Sequence, residues 1–138
     1  ITDHKMTRFW ISLDEGVQFV LKNLMKMHGG EIFIPKMSSF RIPDLASAIN
    51  RSKPQKVIGI RPGEKIHEIM CSSDESYATY EFKHHYIILP TITFDNLNLQ
   101  YYKNKVTKGG KLVKKNFEYT SFNNKNYLTI KEIEKKTK

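Results

Sequence analysis

Lys56-Val57-Ile58-Gly59-Ile60-Arg61-Pro62-Gly63-Glu64-Lys65 is the stretch on which the reading of this chain turns. Val57, Ile58 and Ile60 form an apolar, β-branched run that reads as a buried strand. Pro62 and Gly63 end it in a turn, and Ile66 to Met70 could begin a short helix. Arg61 and Glu64 are thereby presented three residues apart at a strand's rim. The planar fork of Arg61 suits a phosphate or diphosphate. The two acceptor oxygens of Glu64 suit the hydroxyls of a ribose. Together they fit a nucleotide or nucleotide-sugar ligand, and the plainer alternative is an exposed turn with a surface ion pair.

Outward from this stretch, the chain of 138 residues is long enough for one domain with a core. Its apolar fraction of 39% and mean hydropathy of −0.51 imply that parts are exposed or loosely ordered. One cysteine, Cys71, excludes an intrachain disulfide and makes a reducing compartment, the cytoplasm, the default. No apolar run approaches the ~20 residues of a membrane span, and no signal-peptide pattern opens the chain. The absence of an initiator methionine, with a start inside what looks like a strand, suggests a fragment.

The net charge of +9 is unevenly spread: residues 1–100 carry 12 basic and 11 acidic side chains, residues 101–138 carry 11 and 3. The organisation expected is therefore an α/β portion over residues 1–100 and a basic extension over 101–138. A lysine-rich tail can attract nucleic acid or an anionic surface. These lysines, however, are scattered among Asn, Tyr and Thr without arginine, which favours a solvated surface and makes nucleic acid an unlikely partner.

Taken in order, Met6-Thr7-Arg8-Phe9-Trp10-Ile11 places an arginine before two aromatics where a strand hands over to a helix. Ser12 and Glu15 fit a capping box. Val17, Val20, Leu21 and Leu24 recur at helical spacing as one buried face, and Gly29-Gly30 would end that helix. Ile32 to Ile34 read as a strand, and Pro43 to Asn50 as a helix with Leu45, Ala48 and Ile49 inward. Tyr86 to Leu89 read as a brief strand, residues 91–116 show no sustained period, and Phe117 to Asn124 look extended. Leu128 to Lys138 form a terminal helix capped by Thr129, with Glu132 three residues on.

His67, Cys71, His84 and His85 lack the paired spacing of a zinc site, so no metal is expected. There is no Gly-x-Gly-x-x-Gly, Walker loop, Gly-x-Ser-x-Gly or His-Glu-x-x-His. No complete active site is visible, so no catalytic or cofactor-binding residue is assigned within the chain.

Three segments resemble one family: Met6 to Ile11, Gly30-Glu31-Ile32-Phe33-Ile34-Pro35-Lys36 and, above all, Ile58-Gly59-Ile60-Arg61-Pro62-Gly63-Glu64-Lys65-Ile66-His67-Glu68. Tyr86-Ile87-Ile88 with Pro90-Thr91-Ile92, and Phe117-Glu118-Tyr119-Thr120-Ser121, continue the match. The family is that of extended short-chain dehydrogenase/reductases of bacterial polysaccharide and flagellin-glycan synthesis, with the configuration-inverting UDP-N-acetylglucosamine 4,6-dehydratases its most similar members. The match is to the C-terminal, substrate-binding part of such an α/β, Rossmann-type enzyme. The family's N-terminal NADP-binding domain, with its cofactor glycines and catalytic residues, is not matched.

The resemblance implies that Arg61 holds the UDP diphosphate, Glu64 the uridine ribose, and Arg8 faces the diphosphate as well. It implies NADP as cofactor, bound elsewhere, with hydride taken from C4, water lost across C5–C6 and hydride returned at C6 with inversion at C5. A homo-oligomer follows from the family habit. Two rivals stand beside it: a capsule-type UDP-sugar 4-epimerase or 5-epimerising dehydratase of the same family, and a small basic nucleic-acid-binding module built on the tail. Pro62 and His67 lean towards the flagellin-type dehydratase.

Overall fold

A computed structural model describes residues 1–91 and 99–137, apart from the side chains of 99–102. Ile92, the stretch 93–98 and Lys138, each touched by an expectation above, lie outside the described residues. The elements run β1 (Thr7–Trp10), α1 (Leu13–Leu24), β2 (Ile32–Pro35), β3 (Ser38–Arg41), α2 (Ile42–Ile49), β4 (Ile69–Cys71), a 3-10 turn (Ser73–Ala78), β5 (Thr79–Glu81), β6 (His85–Ile88), α3 (Leu99–Val106), β7 (Lys111–Leu112), β8 (Tyr119–Thr120) and α4 (Ile130–Lys136). No described helix is long and apolar enough to cross a membrane. This is a mixed α/β chain of short elements, as expected. It divides into two compact units that interleave in sequence.

The first unit comprises residues 1–11, 37–69 and 119–138. In it β1 pairs antiparallel with β3, Arg8 opposite Phe40 and Phe9 opposite Ser39. The chain at 126–128 runs parallel beside β3, through Ser39 N–H to the Asn126 carbonyl (2.8 Å) and Leu128 N–H to the Ser39 carbonyl (2.8 Å). Pro43 sits in the first turn of α2, where its missing N–H costs nothing, and Leu45 and Ala48 turn inward as expected. Ile49 instead points out. The core joins Phe40, Leu128 and Ile133 to Trp10, Ile42, Leu45 and Ala48, and Trp10 meets Phe40 edge-on at 5.4 Å. Ile133 is 0% exposed. The basic C-terminal extension is therefore partly core: its described lysines face solvent while Tyr119, Leu128 and Ile133 are buried. Thr129 and Glu132 close the expected capping box of α4. Hydrogen bonds from Thr129 hold the Glu132 carboxyl below its ordinary value.

The second unit comprises residues 12–36 and 70–118. Its antiparallel sheet has the order β2-β6-β5-β7. Tyr86, Ile87 and Ile88 of the inner strand β6 are all buried, so the run is continuously apolar rather than alternating. The Ser12–Glu15 capping box opens α1 as expected. Two expectations for this helix fail. It ends at Leu24, capped by Met25, and the glycines at positive φ (Gly29 at 114°, Gly30 at 84°) instead turn the chain into β2. Its Val17-Val20-Leu21-Leu24 face is not buried, with Val20 63% and Leu24 58% exposed. The side turned towards its own unit carries Gly16, Phe19 and Asn23, where Phe19 meets the His85 ring at 6.3 Å and the Asn23 amide bonds the Phe19 carbonyl at 2.8 Å. Periodicity had located an apolar face; no described residue covers it. Cys71 is a buried free thiol 3.3 Å from the Thr79 hydroxyl, and burial raises its pKa and keeps it protonated.

The core of the first unit sets a stability test. Ile133→Ala should cost about 2–5 kcal/mol by chemical denaturation, the range for emptying a buried aliphatic site. Lys131→Ala, on the exposed side of the same helix, should stay within about 0.5 kcal/mol. Equal effects would contradict the assignment of Ile133 to the core.

Candidate functional site

Arg61, Pro62, Gly63 and Glu64 form a β-turn closed by Glu64 N–H to the Arg61 carbonyl at 3.1 Å. Pro62 fixes its own φ for the second position. Gly63 occupies the third with φ +80°, the requirement of a type II turn. A Cβ at Gly63 would meet nothing within 4 Å, so the demand for glycine there is conformational rather than steric. The Glu64 carboxylate folds back over the turn, accepting from the Arg61 N–H (3.0 Å) and from the Thr2 hydroxyl (3.3 Å). The Arg61 side chain is exposed, and its guanidinium takes no hydrogen bond, ion pair or ring contact among the described residues. A rigid turn thus presents an uncompensated fork of donors beside a positioned carboxylate.

The strand expected to lead into this turn is absent. Val57, Ile58 and Ile60 are exposed, Ile58 by 59%, and no ladder forms from 55 to 60. Ile58 N–H reaches the Ile1 carbonyl at 3.0 Å without a continuing register. The short helix expected from Ile66 is absent too, and the chain passes through bends into β4. β-branched content signals a preference for burial, and the described residues offer these three only partial cover.

Beyond the turn, residues 65–68 are pinned although they belong to no strand. Arg8 donates from Nη1 to the carbonyls of Thr7 (2.7 Å) and Ile66 (3.1 Å), and from Nη2 to that of Lys65 (2.8 Å). Its Nε lies 3.9 Å from Glu68 Oε1. Thr7 N–H also reaches the Ile66 carbonyl (3.0 Å), and Phe9 N–H donates to Glu68 Oε2 (2.7 Å). Ser121, fully buried, accepts from Glu68 N–H (2.9 Å) and lies 2.7 Å from the Thr7 hydroxyl. That hydroxyl is in turn 2.8 Å from His67 Nδ1. The His67 ring packs on Phe122 at 4.6 Å. Burial, and then the nearby charge of Arg8, lower the His67 pKa, with Asp3 opposing more weakly.

Of the three residues expected to contact ligand, Arg61 and Glu64 lie on one turn as read. Arg8 is committed to backbone carbonyls. Sequence reading passed over Thr7 and Ser121, which carry no motif and meet across 114 positions. The expectation that no tyrosine stands at the Tyr-x-x-x-Lys spacing of short-chain dehydrogenases is wrong: Tyr101 with Lys105 and Tyr127 with Lys131 have it. The side chain of Tyr101 lies outside the described residues. Tyr127 precedes α4, so no helical turn aligns it with Lys131, and its hydroxyl donates to the Ser121 carbonyl at 2.7 Å. Among the described residues no group of three or more His, Cys, Asp or Glu is placed to hold a metal.

The family profile described as polysaccharide biosynthesis protein matches residues 1–90. A UDP-N-acetylglucosamine 4,6-dehydratase (inverting) of Campylobacter jejuni is 52% identical over 133 residues, covering 96% of this chain and 40% of that protein. A UDP-glucose 4-epimerase of Rickettsia massiliae is 36% identical over 137 residues, covering 96% of this chain and 38% of its own length. Among solved structures, Pen from Bacillus thuringiensis superposes with a TM-score of 0.74 at 25% identity, over 98% of this chain and 39% of that one. The chain thus spans about two fifths of the curated relatives it matches.

The lowered His67 pKa has a pH consequence. Above the ordinary value of 6.5 the ring is neutral whether the chain is folded or not. As pH falls through that value the unfolded chain takes up a proton that the fold resists, so stability declines. His67→Asn, which keeps a nitrogen near the Nδ1 position, should lose less stability than the parent between about pH 7 and about pH 5. Burial also lowers the His85 pKa, but that effect is common to both proteins. Identical slopes would contradict the assignment.

Proposed function

The chain belongs to the polysaccharide biosynthesis protein family, and from that membership we propose that it is the nucleotide-sugar-binding part of a UDP-N-acetylglucosamine 4,6-dehydratase that inverts C5. In this reading Arg61 takes the diphosphate and Glu64 the ribose hydroxyls. The observation that carries it is the unpaired Arg61 guanidinium on a rigid type II turn, next to a carboxylate held in place by the same turn. A diphosphate supplies the missing acceptors, and each charge-assisted hydrogen bond gained is worth about 1.5–3 kcal/mol. Glu64 keeps lone pairs beyond its bonds to Thr2 and Arg61 with which to accept from a diol.

The reading extends to a whole enzyme acting in the cytoplasm as a homo-oligomer, on a route to pseudaminic acid and flagellin glycans. NADP belongs to that reading, yet this chain's own residues do not fit it. The β1-to-α1 turn carries Ile11 and Ser12 and no glycine run that would let a backbone approach a pyrophosphate. The cofactor is therefore assigned to the part of the relatives that this chain does not match. The higher identity to the dehydratase than to the epimerase favours dehydration over 4-epimerisation. The nucleic-acid reading has no support: the relatives named above are nucleotide-sugar enzymes, and much of the basic extension is built into the first unit.

Calorimetric titration with UDP tests the clamp. The parent chain should bind, and Arg61→Ala should weaken binding at least about tenfold, the loss of one charge-assisted contact. Unchanged affinity in that variant would overturn the assignment of Arg61.

A further inference from the structure

We infer that Arg8, with Thr7 and Ser121 behind it, is a positioning residue: it staples the backbone of residues 65–66 to β1 and so fixes the ligand-facing turn, without itself touching the ligand. The inference rests on reading Arg61–Glu64 as the anion clamp.

Residues 65–68 lie directly after that turn and outside any strand, so their polar backbone groups must find partners one by one. Arg8 supplies two of those partners. Three hydrogen bonds from Nη1 and Nη2 reach the carbonyls of Thr7, Lys65 and Ile66, and Glu68 stands 3.9 Å from Nε to offset the charge. Of five N–H donors the fork has already directed most at the protein itself. On the other side, Ser121 makes a two-way clasp with Glu68. Its hydroxyl accepts the Glu68 N–H at 2.9 Å, and its own N–H donates to the Glu68 carbonyl at 2.9 Å. The same hydroxyl lies 3.2 Å from the Thr7 carbonyl and 2.7 Å from the Thr7 hydroxyl, which continues the chain to His67. Thr7 is 2% and Ser121 0% exposed, so these bonds are shielded from competing water. By contrast, among the described residues the turn itself leans only on its own closing bonds and on Thr2. Its orientation is inherited from the stapled segment that follows it.

Lysine in place of Arg8 separates the two roles. It keeps the positive charge that a ligand contact would use but lacks the planar fork needed to bridge separate carbonyls. Two readouts are taken on the full chain: UDP affinity by calorimetry, and hydrogen exchange at the amides of Phe9, Glu64 and Glu68. In Arg8→Lys and in Ser121→Ala, exchange at these amides should quicken and UDP affinity should fall, each at least about tenfold, the worth of one lost charge-assisted or buried hydrogen bond. In Arg61→Ala affinity should fall with exchange unchanged.

If Arg8→Lys keeps both the exchange rates and the affinity of the parent, the staple is overturned. If it weakens UDP while exchange stays slow, Arg8 contacts the ligand and the inference is equally overturned. If UDP binds none of the proteins, or Arg61→Ala binds it normally, the clamp reading fails. The exchange rates then still decide whether Arg8 holds the 65–68 backbone. Should Arg8→Lys fail to fold cooperatively, Ser121→Ala carries the same comparison from the opposite side of Glu68.

Discussion

A run of backbone that belongs to no sheet must still satisfy its polar groups, and at residues 65–68 side chains and two single backbone bonds do this work. Thr7 and Arg8 of β1 and Ser121, more than a hundred residues further on, converge on these four residues. The Arg8–Lys65 bond is exposed, but those from Arg8 to Ile66, from Glu68 N–H to Ser121 and between Thr7 and Ser121 are buried or half-buried, where an unmet donor or acceptor costs about 1–3 kcal/mol. The site depends on this knot, because the turn bearing Arg61 and Glu64 grows directly out of it. A ladder would have imposed a strand's regular geometry. Individual side-chain bonds permit an irregular path that ends in a tight, glycine-requiring corner.

The aromatic and aliphatic packing of the first unit supports the same arrangement from below. Phe9 lies against Tyr119 at 4.9 Å, and the Tyr119 hydroxyl bonds residue 37 at both its N–H and its carbonyl. Burial raises the Tyr119 pKa, so the phenol stays protonated and can donate. The segment that supplies Ser121 is thus anchored at its start by an aromatic pair and at its end by α4 in the core. Lysine-rich composition and structural necessity coexist there because they occupy opposite faces.

Local signals were legible in the sequence. Both capping boxes, Ser12–Glu15 and Thr129–Glu132, depend on residues three apart, and both formed. The Pro62-Gly63 corner follows from the intrinsic φ preferences of two residues. What failed was the step from apolar content to burial. Val57, Ile58 and Ile60, and the α1 face from Val17 to Leu24, were read as core, yet pattern alone says which side chains seek cover and not what covers them. Arg8 shows the complementary limit. An arginine at a strand-to-helix junction suits an anion or a set of carbonyls equally well. The choice is made by Lys65 and Ile66, more than fifty residues away, as Ser121 is chosen for Thr7 across the length of the chain.

The central claim is that the Arg61–Glu64 turn receives the diphosphate end of a uridine nucleotide. Amide chemical shifts recorded while UDP is added to the isotopically labelled chain test it most directly. The account predicts that the largest shifts fall on Arg61, Gly63 and Glu64, with the lysines from Lys103 to Lys115 little changed. Shifts concentrated in that lysine-rich stretch, with the turn unmoved, would contradict it.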